Sequence, residues 1–362
     1  MASPQLDILA LEPFYGGPRR AMLETVTRCS RHRWTLLKLP PRRIERRLMA
    51  ASHWFAEQLQ RHWSGRVDVL FTSEALNLAD LYRLAPRLAK KPSVVYFHDN
   101  QLPDPRSDAD SQPTDFVNLN TAAAATEVWF NSNYHFRNFT HRATSLVNKH
   151  PDIATLNPLA TLAGKSHIMS PAIDLSYVHQ HTTSQGTKRP ARTIFVDTRD
   201  ADMRLLNGAL GVIRRRGEQF DLITVGPVEG LDPEIKRRTL PEQDNQAHAN
   251  ALFEAGVYLS ARPAATNDFH AVRALAAGCW PIFPKGGVYP EILPKSMHST
   301  CLFEPNIDTM GSRLQDAWHT YRPDGYETEL LGILSKFEPM TACQAIDQRL
   351  EELAVSHSIS GK

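Results

Sequence analysis

Short apolar runs alternate with amphipathic stretches along the chain, and the alternation predicts strand and helix in turn. The clearest unit runs from Val257 to Leu293. An apolar run, Val257–Ser260, precedes a polar loop, Ala264–Asp268, and an Ala- and Leu-rich segment of helical period, Phe269–Ala277, which Gly278 stops. A second apolar run, Trp280–Pro284, leads into Lys285–Gly286–Gly287, and a further helix starts near Pro290–Glu291. This order belongs to a parallel sheet covered by helices. Ligands of such sheets bind at the carboxyl ends of the strands, so the 262–270 loop and the Lys285–Gly286–Gly287 loop are expected at one pocket.

The first half repeats the pattern. Strands are predicted at Leu6–Leu11, Trp34–Leu39, Val67–Thr72, Ser93–His98 and Glu127–Asn131, with a last short one around Ile168–Ile173. Helical spacing covers Arg42–Gln60, with Ile44, Leu48, Ala51, Phe55 and Leu59 on one face, and returns through Leu88, at Phe116–Ala125 and at Tyr134–Val147. Glu12–Pro13–Phe14–Tyr15–Gly16–Gly17 turns into a helix that Pro18 can start. Residues 102–115 read as a loop. Residues 1–173 then form one domain, the polar stretch 174–192 a linker, and 193–338 a second domain opened by the strand Thr193–Asp197, the helix Arg204–Arg216 and the strand Phe220–Val225. The last third reads as helical. Residues 339–362 hold an amphipathic helix, a candidate to pack back on the N-terminal domain.

A length of 362 residues fits two domains. The net charge of only +2 names no partner, but its distribution does. Arg19, Arg20, Arg28, Arg31, Arg33, Lys38, Arg42, Arg43, Arg46 and Arg47 face few nearby acids in sequence, which suits a polyanion or else a solvated helical face. Trp34, Trp54, Trp63 and Tyr15 are candidates to stack on an unpaired base, against the plainer reading of core aromatics. The four cysteines make no C-x-x-C pair, so neither a zinc site nor a disulfide framework is expected. With no signal-like N-terminus and no membrane-length apolar run, a soluble cytoplasmic protein is expected.

Four strings go further: EPFYGG near the start, VYFHDNQ at the end of the fourth strand, FNSNYHF after the fifth, and PKGGVYPEIL in the second domain. Together with RHRWTLLKLPPRR and LFTSEALNLADLYRL they resemble the GT-B glycosyltransferases of the family 4 type, and within them the tRNA-queuosine α-mannosyltransferases. The resemblance implies an α/β GT-B fold, two Rossmann-like parallel-sheet domains facing a central cleft. It implies retaining transfer of mannose from GDP-mannose to queuosine in a tRNA anticodon, without a bound metal or other cofactor. The basic N-terminal region would hold the anticodon arm.

Residue by residue, the resemblance puts Gly16 and Gly17 at the donor phosphates and His98 at the donor sugar, with Asp99, Asn100, Gln101, Asn131 and Ser132 lining the acceptor side. Asn131 and Ser132 also fit a helix cap. It puts Arg199, Arg204, Lys285, Gly286, Gly287 and Glu291 on the donor, where paired cations offset diphosphate charge; Glu291 also fits the start of a helix. One departure stands out. Where the family has Glu, seven residues, then Glu, this chain has Asp268 and Ala276. Asp268 keeps the catalytic assignment one methylene shorter, while Ala276 cannot accept a hydrogen bond. A different donor, a donor held by Arg262, Asn267 or His270, or a non-catalytic module that binds tRNA or a protein all fit that change. A transferase with another acceptor, such as a lipid, is the remaining alternative. The tripeptides Asp200–Ala201–Asp202 and Asp108–Ala109–Asp110 match a metal-binding D-x-D, and their recurrence marks both as chance.

Overall fold

A computed structural model of the chain describes residues 4–360 apart from 107–110, 151, 153–158, 177–191, 243 and 321–327. Most of the expected linker and the tripeptide Asp108–Ala109–Asp110 lie outside the described residues. The chain divides into two compact units, residues 1–173 with 339–362, and residues 174–338.

The first unit holds a six-stranded sheet: β1 (Asp7–Glu12), β2 (Arg33–Lys38), β3 (Val69–Ser73), β4 (Ser93–Phe97), β5 (Glu127–Phe130) and β6 (Ser166–Ile168). Their order is β2-β1-β3-β4-β5-β6, with every neighbouring pair parallel. All five β4 positions are buried, so this strand reads as a continuous apolar run instead of an alternation. Alternate residues feed two cores. Leu9, Leu70, Val95 and Phe130 meet Phe55 and Leu59 of the Ile44–His62 helix and Phe139 of the Asn133–Lys149 helix. Ile8, Val69, Phe71, Tyr96 and Trp129 meet Met22 and Val26 of the Gly17–Cys29 helix.

That second core also takes Ala342, Cys343, Ile346, Leu350 and Leu353 from the Pro339–Ser360 helix. Asp347 on this helix accepts from Ser30 Oγ at 2.5 Å and from the Arg31 amide at 2.9 Å. Arg349 pairs with Glu127 at 2.5 Å.

One strand end differs from expectation. Pairing runs only over Ser166–Ile168, while Met169, Ala172 and Ile173 enter the core as irregular chain. The apolar run there marks burial, not a ladder.

The second unit holds β7 (Thr193–Asp197), β8 (Asp221–Val225), β9 (Arg237–Leu240), β10 (Val257–Leu259), β11 (Trp280–Pro284) and β12 (Leu302–Phe303), ordered β12-β11-β10-β7-β8-β9 and all parallel. One face packs on the Met203–Arg215 and Ile307–Thr320 helices through Leu206, Ala209, Met310 and Leu314. The other face is aromatic. Phe195 stacks on Tyr258 with centroids 5.7 Å apart, and Phe283 lies 4.7 Å from Tyr289. Among the described residues no helix is long and apolar enough to cross a membrane.

Candidate active site

In the first unit, polar residues gather where β1, β3, β4 and β5 end. Glu12 Oε1 accepts from the Phe14 amide at 2.7 Å and from Ser73 Oγ at 3.0 Å, which fixes the turn into Gly16–Gly17. The two glycines are needed for different reasons. A Cβ on Gly16 would lie 2.6 Å from Pro41 Cγ, whereas Gly17 has open space but a left-handed backbone, φ +51°.

Arg19, in the first turn of the next helix, pairs with Glu74 just past β3. Glu74 also accepts from the amides of His98 at 3.1 Å and Asp99 at 3.2 Å. Burial pushes the Glu12 carboxyl up to about 7, against the pull of Arg19. Burial raises Glu74 as well, but a guanidinium and two amides converge on it, so Glu74 is the member that carries the charge.

His98 is 3% exposed, its ring 4.6 Å from that of Tyr96. Burial, with the Arg19 guanidinium nearby, holds its imidazole well below the usual range, so it is neutral. Asn131 Nδ2 donates to the His98 carbonyl at 2.9 Å. Ser132 Oγ donates to Asn131 Oδ1 at 3.1 Å and accepts from the His135 amide at 3.1 Å, so it caps the Asn133–Lys149 helix. Asn118 Oδ1 accepts from the Gln101 amide at 2.7 Å, and Asn100 Nδ2 reaches Asn138 at 3.3 Å. Asn100 Oδ1 and Gln101 Oε1 are buried with no hydrogen-bond partner among the described residues. Gly16, Gly17, His98, Asp99, Asn100, Gln101, Asn131 and Ser132 therefore share one edge of the first sheet.

The sequence names Glu12 only as part of the turn and Arg19 only as one of the basic residues, and it gives no role to Glu74; these three tie that edge together. The one signal for them was an acid closing an apolar strand. The same pairings correct the expectation that the N-terminal basic residues face few acids. Arg20 meets Glu24 at 2.8 Å, Arg33 meets Asp7 at 2.8 Å, and Arg31 meets Glu351, more than three hundred residues away in sequence, at 2.5 Å.

In the second unit, Asp268 caps the Phe269–Ala276 helix, accepting from the Ala271 amide at 2.9 Å. It also accepts from the Tyr258 hydroxyl at 3.2 Å and the Tyr289 hydroxyl at 2.9 Å, with Arg262 3.8 Å away. It is 4% exposed, turned into the protein by the aromatic face below it.

Arg199 makes a two-pronged pair with Asp197 at 2.9 and 2.7 Å and lies 3.0 Å from His270 Nε2. Burial drops the His270 imidazole to about 3 although Asp197 is near. Arg204 is exposed in the first turn of the Met203–Arg215 helix. Asp202 caps that helix through the Leu205 amide at 2.9 Å, so the tripeptide Asp200–Ala201–Asp202 is a turn and a cap. Among the described residues no group of three His, Cys, Asp or Glu side chains is placed to hold a metal.

The Lys285–Gly286–Gly287 loop rests on the loop after β10. The Val288 amide donates to the Ala265 carbonyl at 2.9 Å, and a Cβ on Gly286 would lie 2.6 Å from the Pro263 carbonyl oxygen. Lys285 Nζ reaches Glu304 at 2.8 Å on the surface, and Glu291 sits in the short Tyr289–Ile292 helix. Those two loops do meet, as the βαβα pattern predicts. Ala276, at the second acidic position, is half-buried.

Residues 7–173 match the family model described as the tRNA-queuosine alpha-mannosyltransferase N-terminal domain. A Drosophila melanogaster tRNA-queuosine alpha-mannosyltransferase is 25% identical over 320 residues, covering 82% of this chain and 84% of that protein. Among solved structures, Anabaena HepE in complex with UDP superposes with a TM-score of 0.64 at 14% identity, covering 96% of this chain and all of the other. The catalytic domain of starch synthase IV from Arabidopsis thaliana, bound to ADP and acarbose, gives 0.64 at 13% identity, covering 98% and 99%. The chain has the GT-B fold, and its residues 7–173 are similar to the N-terminal domain of the tRNA-queuosine alpha-mannosyltransferases.

Proposed function

We propose that this protein transfers mannose from GDP-mannose to the queuosine nucleoside of a tRNA anticodon, with retention at the anomeric carbon, in the cytoplasm. The observation that carries this reading is the match of residues 7–173 to that family's N-terminal domain. The bond between the anomeric carbon and the diphosphate oxygen breaks. A bond from the acceptor hydroxyl oxygen forms on the same face, the proton of that hydroxyl passes to the departing diphosphate oxygen, and GDP leaves.

The first-sheet edge supports the acceptor half. A neutral His98 can hydrogen-bond a sugar hydroxyl without adding charge, and the two open acceptors on Asn100 and Gln101 suit hydroxyl donors. Gly17 leaves open space beside a helix N-terminus, suited to the donor phosphates. On the donor half, Arg204 is exposed and supplies positive charge for the departing diphosphate, while Arg199 and Lys285 share theirs with Asp197 and Glu304. With Asp268 engaged inward and Ala276 unable to accept a hydrogen bond, nucleotide recognition falls to this cationic set and to the loops at 262–270 and 285–288.

Calorimetric titration tests the reading. GDP and GDP-mannose should bind in the micromolar range, UDP and UDP-glucose should bind at least ten times more weakly, and radiolabelled mannose should pass to tRNA containing queuosine only. No binding of any nucleotide would overturn it in favour of a non-catalytic module.

A further inference from the structure

We propose that Arg42, Arg43 and Arg46, at the start of the Ile44–His62 helix, contact the phosphate backbone of the RNA acceptor; this rests on the tRNA reading above. Among the ten N-terminal cations these three are set apart from all but Lys38, whose ammonium lies over the Tyr15 ring at 4.1 Å. All are exposed, and among the described residues none is hydrogen-bonded or paired with an acid through its side chain. Their neighbour Arg47 instead turns inward to the Pro40 carbonyl at 3.0 Å. Four arginines thus stand beside a single carboxylate, Glu45, within six residues.

The backbone there is unusual. Arg43 takes the helix N-cap position with φ +51°, where Ser, Asn or Asp caps best and glycine fits the left-handed angle. A strained arginine where a relaxed capping residue would stabilise the helix points to a demand other than folding.

The location fits the demand. The arginine loop leaves the carboxyl end of β2 and is fastened to the Gly16 turn. Pro41 fills the space a Gly16 side chain would need, and the Tyr15 amide donates to the Leu39 carbonyl at 3.0 Å. The patch therefore lies on the same edge of the first sheet as His98, three strands along, a span of roughly 15 Å. A nucleoside seated at that edge would carry its flanking phosphates past these guanidinium groups. An exposed apolar surface suited to a lipid bilayer is not what surrounds them: Met49 is the one large exposed hydrophobic on the next turn.

The test uses the full chain and a labelled anticodon stem-loop with and without queuosine, titrated by fluorescence anisotropy across a salt series. The variant R42S/R43G/R46S should bind both RNAs about tenfold or more weakly, and the slope of log affinity against log salt should shrink by about three. Its GDP affinity should not change. The single variant R43G should weaken RNA binding while raising the melting temperature, because it relieves the left-handed backbone; a residue serving only the fold would move the two together. Equal RNA affinity and slope in wild type and triple variant would overturn the assignment of this surface alone. Absence of RNA binding in a wild-type protein that binds GDP-mannose would overturn the tRNA reading itself. Loss of binding to anionic phospholipid vesicles, with RNA binding intact, would reassign the patch to a membrane.

Discussion

The Tyr289 hydroxyl lies 2.9 Å from Asp268 Oδ2 and 2.6 Å from Ser260 Oγ, so it donates to the acid while accepting from the serine. With the Tyr258 hydroxyl and the Ala271 amide, Asp268 accepts from three donors inside the protein. Asp268→Ala should therefore lose a helix cap and strand two buried phenols, costing about 3 kcal/mol in urea denaturation. Asp268→Glu should cost about 1–3 kcal/mol through overpacking, although it restores the length found in the family. If Asp268→Glu instead raised transfer activity at unchanged stability, the acid would face the sugar and this account of its surroundings would be wrong.

Gly287→Ala should be poorly tolerated. The residue combines φ +64° with a Cβ position 2.8 Å from the Ala265 carbonyl oxygen, and backbone cannot swing aside as a side chain can. The left-handed angle alone costs about 1 kcal/mol, and separation of the two loops adds to it. The expected result is a lower melting temperature together with weaker GDP binding. Gly17→Ala, with no neighbour to displace, should show the backbone cost only.

The Arg19–Glu74 pair is buried, its side chains 11% and 0% exposed. Glu74→Ala leaves a guanidinium without its partner and should cost about 3–5 kcal/mol. The double variant Arg19→Met/Glu74→Ala should cost clearly less than the sum of the two single variants. Additivity to within about 0.5 kcal/mol would mean that the two groups do not depend on one another.

Two buried groups in the first unit should bend the pH dependence of stability in opposite directions. Glu12 is raised from 4.5 to about 7, so the folded state holds a proton that the unfolded state has lost; stability falls as pH rises from 4.5 to 7, by on the order of 3 kcal/mol. His135 is lowered by burial from 6.5 to about 3, so its contribution is complete above 6.5 and is lost as pH falls toward 3. Urea midpoints measured from pH 4 to 8 should show Glu12→Gln removing the decline at the neutral end, since the amide oxygen still accepts from Phe14 and Ser73. A profile left unchanged by that substitution would mean Glu12 is ionised throughout.

The central strands were legible because both of their faces are covered. The run Trp280–Pro284 has the same ends in sequence and structure, and β4 differs by one residue. β9 was not legible: Arg237–Leu240 is an edge strand with charged, exposed positions and no apolar run. The Asn245–Glu254 helix was missed as well, its Ala-rich face giving little contrast with the rest. At the candidate site, the polar residues after β4 announced themselves by following an apolar strand directly. Arg19 and Glu74 did not, because a pair joined across 55 positions leaves no local spacing to read. Arg31 looked unopposed for the same reason; its partner Glu351 arrives on the last helix.

That last helix also sets an order of events during synthesis. The first unit closes its second core with Ile346, Leu350 and Leu353, yet residues 174–338 belong to the other unit. On a ribosome adding 5–20 residues per second, the first sheet waits roughly ten to forty seconds between the emergence of residue 173 and of the helix that covers it. Throughout that interval the part of this core that Ile346, Leu350 and Leu353 complete faces solvent or a chaperone. The sequence-continuous second unit can fold before the first is complete. Truncation near the C-terminus would therefore damage the domain made first, a whole protein's length away in sequence.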